Sequence, residues 1–195
     1  MKKIETLAEY QQLASRTCPD LGTPELNMLH MNLGIVTEIG EFLDPIKKHI
    51  AYGKELDVVN LGEELADIAW YVSNKAKMFM PEDKHNNSWN RTDSFEQGVK
   101  LYDTMFKSRE HDLTDIVIMS NSIIPEDMRK LDDEFYHYGI DNIVVISKIC
   151  EYFKLDFWQI LTNNIAKLQI RYPDKFSNEN ALNRNLEAER IELEK

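Results

Sequence analysis

The chain has 195 residues, with 34 Asp+Glu against 23 Lys+Arg and a formal net charge of −11. At about 150 residues per domain, this predicts a single domain over 1–195 that can bury its own core. Such acidity excludes general affinity for nucleic acid, and no apolar run reaches the ~18 residues of a membrane span. With 7 Gly and 6 Pro, the chain is poor in the residues that punctuate strand-and-turn proteins, and the expectation is all-α.

In chain order, a first helix is expected over 4–17, with Leu7, Tyr10, Leu13 and Ala14 on one face. A loop at 18–23 leads to Thr23 as N-cap and Pro24 at the first helical position. The second helix carries an apolar row of Leu26, Leu29, Leu33, Val36 and Ile39, should bend or restart at Pro45, and closes at Gly53. Asp57 caps a third helix that ends before Pro81, with Val58, Leu61, Leu65, Ile68, Ala69 and Val72 as its buried stripe. A polar loop follows from Glu82 to Arg91, then short helices over 94–107, 113–121 and 126–137; Ile116–Met119 reads equally as a short strand. Asp141 caps a helix to Phe153, Asp156 caps another to Arg171, and Pro173 stops it. The last segment, 177–195, is a charged C-terminal arm with a terminal helix. The opening residues have no apolar signal-peptide core and Cys18 and Cys150 form no CxxC pair, so the expected location is the cytoplasm.

Two acidic pairs carry the chemistry. Glu38 and Glu41 on the second helix, and Glu64 and Asp67 on the third, are three residues apart, which puts each pair about 60° apart on one helix face. Each pair sits among apolar residues. If the helices pack antiparallel, the four carboxylates converge, and their repulsion and desolvation call for a hard cation. An oxygen-only ligand set suits Mg²⁺, with Mn²⁺ as substitute, and one or two such ions would bind polyphosphate and acidify an attacking water. The competing reading of the same pairs is a decorated, solvated surface.

The string Thr37-Glu38-Ile39-Gly40-Glu41, followed by Glu64-Leu65-Ala66-Asp67, resembles the ExxE…ExxD signature of the MazG-like all-α nucleoside triphosphate pyrophosphohydrolases of bacteria and phages. The likeness continues through Leu29–Gly34, Ile46–Lys54 and Asn60–Tyr71, and again through Asn164–Leu168, Arg171–Phe176 and Asn183–Arg190. It implies a helical bundle that hydrolyses a nucleoside triphosphate to the monophosphate and pyrophosphate, and a homodimer or homotetramer. It also implies Mg²⁺ on Glu38, Glu41, Glu64 and Asp67, with Glu38 or Glu41 finishing proton abstraction from water. Lys48, Lys54, Lys167 and Arg171 become candidates for the phosphate oxygens, Asn164 for sugar or phosphate, and His30 for the same groove. Trp70 and Tyr71 read as core.

The chain departs from the resembled pattern at Thr37, where many members have Glu, and at Asn185, often Asp. Segment 82–140 exceeds the usual connection and reads as a helical insertion. Two other classes compete. One is a non-catalytic helical interaction protein. The other is a ferritin-like di-iron protein, for which Glu134 with His137, and Glu82 with His85, have the Glu-x-x-His spacing.

Overall fold

The computed structural model describes residues 2–78, 92–106, 111–125 and 135–194, and every regular element among them is helical. Helix α1 (Leu7–Ala14) starts at Thr6, whose side chain accepts from the Glu9 N–H, and tightens into a 3₁₀ turn at Ser15–Thr17. Helix α2 (Pro24–Tyr52) starts at Thr23, whose hydroxyl accepts from the Leu26 N–H. It ends at Gly53, whose φ of 64° lies in the left-handed region that favours glycine, with the Gly53 N–H donating to the His49 carbonyl. Asp57 accepts from the Asn60 N–H at the start of α3 (Val58–Met78).

Next come α4 (Thr92–Phe106), α5 (Leu113–Ser122), α6 (Phe135–Tyr152) and α7 (Phe157–Arg171), the last capped by Asp156. The chain closes with α8 (Asn178–Leu182) and α9 (Leu186–Leu193).

Helix α3 is the hub and packs against α1, α2, α6 and α7. Its Leu61, Leu65, Ile68, Ala69 and Val72 are fully buried, whereas Val58 at its start is exposed. They meet Ile35, Ile39 and Phe42 of α2, Ile143, Ile146 and Ile149 of α6, and Leu161 and Ile165 of α7 in one apolar cluster. Burying such residues is the main stabilising term of the bundle. Helices α4 and α5, the described parts of 82–140 before α6, pack on α6. No described helix is long and apolar enough to cross a membrane.

Three local expectations change and one open alternative is decided. Helix α2 runs through Pro45 without a restart; the cost is one backbone hydrogen bond, that of the Glu41 carbonyl, which flanking packing of Phe42 and Ile46 outweighs. The row Leu26, Leu29, Leu33 is exposed, and Met28, Met31 and Ile35 are buried in its place. Ile116–Met119 is helical within α5. Asp141 lies inside α6 rather than at its cap, because the apolar spacing extends across it from Ile140 to Ile143 and Val144. Residues 126–134 of the helix expected over 126–137, and the loop expected over 82–91, lie outside the described residues.

Candidate functional site

The geometry of the site follows from how α2 lies on α3. Gly34 faces Tyr71, Glu38 feels Asp67, and Glu41 feels Glu64. Numbers rise along one helix as they fall along the other, so the pair is antiparallel and the two acidic pairs meet at mid-length. Carboxylate oxygens of Glu38, Glu41 and Glu64 all lie within 4.8 Å of one another. Asn60, one turn before Glu64, donates from its side-chain amide to Glu64 Oε1 at 2.8 Å and fixes that carboxylate.

The electrostatics are those of a crowded, partly desolvated anion cluster. Burial, reinforced by Asp67, Glu41 and Glu64, pushes the Glu38 carboxyl up to about 8. Burial, with Asp67, Glu63 and Glu41, pushes Glu64 up to about 7. These groups resist ionising together near neutral pH unless a cation joins them. Three hard oxygens at this spacing, with no thiolate or imidazole among them, fit Mg²⁺ or Mn²⁺ by donor chemistry.

Asp67 stands apart from that trio. Its Oδ1 accepts from the Asn164 side-chain amide at 2.5 Å and its Oδ2 from Lys167 Nζ at 2.6 Å. Lys167 also donates to Glu63 Oε1 at 3.2 Å, and its side chain is only 1% exposed. Burial would lower its pKa, but Asp67 and Glu63 hold it above the ordinary lysine value. Behind Asn164, the buried Tyr10 hydroxyl shares its one proton between the Ala66 carbonyl at 3.1 Å and Asn164 Oδ1 at 3.3 Å, so α1 braces the same network.

Lys167 and Arg171 share a face of α7, as their spacing predicts, yet both are engaged by the chain's own carboxylates. The Arg171 guanidinium grips Glu189 through two bonds of 3.1 and 2.5 Å, and Arg184 adds a third at 2.8 Å. That grip seats α9 on α7.

A cavity of about 600 Å³ opens beside the cluster, lined by Glu38, Asp67 and Arg171 together with the rings of Trp70, Tyr71, Tyr172 and Phe176. His30 also lines it, edge-on to Tyr71 with ring centroids 5.7 Å apart. The buried Nδ1 of His30 has no hydrogen-bond partner among the described residues, and burial lowers the imidazole pKa. Trp70 is both core and wall: its Nε1 donates to the Ala14 carbonyl and the Thr17 hydroxyl, each at 3.1 Å.

On the other side a groove of about 520 Å³ carries Glu41, Glu64, Asp44 and Lys48. Lys48 is ion-paired with Asp44 one turn earlier. Lys54 is exposed beyond the end of α2 and lines neither cavity.

Tyr10, Asn60, Tyr172 and Phe176 were not singled out as site residues by sequence reasoning. Only Asn60, one helical turn before Glu64, gave a usable signal; the others reach the site through tertiary packing. Glu82, His85, Glu134 and the His137 side chain lie outside the described residues, and with them the Glu-x-x-His pairs of the di-iron reading. No protein-family model, curated protein or solved structure matches the chain, so its assignment rests on the geometry just described.

Proposed function

We propose that this chain is a divalent-cation-dependent nucleoside triphosphate pyrophosphohydrolase of the MazG-like kind, acting in the cytoplasm. The observation that carries the reading is the position of the Glu38–Glu41–Glu64 trio between an aromatic cavity and an open groove. A nucleotide has the matching anatomy: a planar base, a sugar and a polyanionic tail.

In this reading the base and sugar enter the cavity walled by Trp70, Tyr71, Tyr172 and Phe176. Flat rings supply stacking area, and the His30 Nδ1 supplies a polar contact for a base edge. The triphosphate crosses the acidic trio, with Lys48 the cation lining the groove beyond. Glu38, Glu41 and Glu64 would hold Mg²⁺, or Mn²⁺ in its stead, which when bound offsets phosphate charge and acidifies the attacking water. The water's proton passes to a carboxylate of the first pair, Glu38 or Glu41. Water adds across the α–β anhydride, the bridging P–O bond breaks, and the products are the nucleoside monophosphate and pyrophosphate. Fixed charge and position do most of the work in such a transfer.

We further propose that the active form is a homodimer or homotetramer. The exposed row Leu26, Leu29 and Leu33 on α2 supports it, since a partner would cover that apolar strip. Light scattering coupled to size exclusion tests this, and a monomer at micromolar concentration contradicts it. The activity itself is tested by incubating the chain with each ribo- and deoxyribonucleoside triphosphate and Mg²⁺, and assaying pyrophosphate.

A further inference from the structure

We infer that Arg16, an exposed residue outside the cavity lining, is a positioning residue for the aromatic cavity: it holds Phe176 in place, and affinity for a planar base depends on that hold. The inference rests on the nucleotide reading of the cavity and adds a residue that the reading does not use.

The cavity draws its rings from two parts of the chain. Trp70 and Tyr71 sit on α3, whereas Tyr172 and Phe176 follow the end of α7. Tyr172 is buried and its N–H donates to the Leu168 carbonyl, so α7 places it. Phe176 has no helix to place it. Pro173 has no N–H with which to continue α7. Pro173, Asp174 and Lys175 are all exposed, so packing fixes little of the backbone that carries the ring.

Arg16 supplies the constraint. Its Nη2 donates to the Asp174 carbonyl at 2.9 Å, and its own carbonyl accepts from the Phe176 N–H at 3.4 Å. The two bonds run in opposite directions and bracket Lys175. They seat Phe176 with its ring centroid 5.4 Å from that of Tyr172. Arg16 is itself anchored, because the 3₁₀ turn Ser15–Thr17 is tied to α3 at two points. Trp70 Nε1 donates to the Thr17 hydroxyl at 3.1 Å, and Lys77 Nζ to the Ser15 hydroxyl at 2.6 Å. One short turn thus links Trp70 to Phe176, two walls of the same cavity, and sets the gap between them. Stacking is sensitive to such a gap: an extra 0.5–1 Å forfeits roughly a quarter to a half of the dispersion attraction. A bare phosphate chain has no ring to lose it.

Kinetics of the full chain test this with Arg16→Met, which keeps the stem and removes the donor, and Arg16→Lys, which keeps a donor. With Mg²⁺ and the best nucleoside triphosphate of the wild type, Arg16→Met should raise KM about five- to tenfold, the equivalent of one partly exposed hydrogen bond. Its kcat should stay within about twofold, as for an interaction made equally in the ground and transition states. Arg16→Lys should fall between the two. Inhibition by inorganic pyrophosphate, which has no ring, should be the same in all three. Trypsin should cut after Lys175 sooner in Arg16→Met than in the wild type.

An unchanged KM, a fall in kcat alone, an equal loss of affinity for pyrophosphate, or unaltered cutting after Lys175 would overturn the inference. If the wild type releases no pyrophosphate from any nucleotide, the proposed activity fails, and equilibrium dialysis of nucleoside monophosphates decides the role of Arg16 separately. Weaker binding to Arg16→Met than to the wild type then upholds it; equal binding, or none to either, overturns it.

Discussion

Gly34 and Tyr71 share a single volume: a Cβ built on Gly34 would lie 2.1 Å from Tyr71 Cε1. The ring cannot easily step aside, since His30 and Trp70 flank it edge-on, with centroids 5.7 and 4.9 Å away. This close approach sets the spacing of α2 and α3 one turn before Glu38, and so sets the convergence of the acids. Gly34→Ala should destabilise the fold by about 1–3 kcal/mol, the usual cost of overpacking. It should also reduce the rise in melting temperature produced by Mg²⁺. Denaturant unfolding with and without the ion measures both, and an unchanged variant would show that the ring is free to move.

The cation-free chain should lose stability as pH rises through neutrality. Glu38 and Glu64 titrate near 8 and 7 in the folded chain, above the ordinary glutamate value. The folded state therefore keeps protons that the unfolded state has released. Their contribution is fully present below about pH 4.5 and disappears as pH climbs to about 8. His30, lowered by burial, acts in the opposite sense around the ordinary imidazole value, so a difference isolates the acids. In EDTA, Glu38→Gln should gain on the wild type between pH 5 and 8.5, and Mg²⁺ should narrow the gap. A pH-independent difference would contradict the coupling.

The local chemistry of the fold was legible. Thr23, Asp57 and Asp156 cap their helices through side-chain oxygens, and Gly53 ends α2 in the left-handed region, because each acts within a few residues of itself. The apolar face of α2 was not. Its first half carries Leu26, Leu29 and Leu33 on one side and Met28, Met31 and Ile35 on another, so periodicity alone offers two stripes and the partner helices select between them. Of the four carboxylates expected to converge, the i, i+3 spacing on two neighbouring helices brings together Glu38, Glu41 and Glu64, while Asp67 is taken up by Asn164 and Lys167.

The pairing of Lys167 with Asp67 and Glu63, and of Arg171 with Glu189, was not. A four-residue spacing on α7 says which face the cations share but nothing of which acids face them.

Glu41 is exposed at the edge of the groove and adds to the repulsion on Glu38 and Glu64, so Glu41→Gln should leave helix content intact and should not lower cation-free stability. Turnover should fall by about 10² or more, in line with removing a charge that acts on a developing anion. Circular dichroism and the pyrophosphate assay on one preparation decide it, and full activity would remove Glu41 from the site.

Glu189 has the reverse character. Its side chain is 3% exposed and holds both Arg171 and Arg184. Glu189→Ala strands the half-buried Arg171 charge, which should cost about 3–5 kcal/mol by analogy with other broken buried pairs. The loss should appear first as early tryptic cleavage in 183–190, while 2–78 stays protected. Cleavage at the wild-type rate would contradict the role given to this pair.

The most direct test is product analysis. With Mg²⁺ present, at least one nucleoside triphosphate should yield monophosphate and pyrophosphate in equal amounts, and EDTA or Glu64→Gln should stop the reaction. Orthophosphate with nucleoside diphosphate, or no product from any nucleotide, would contradict the account.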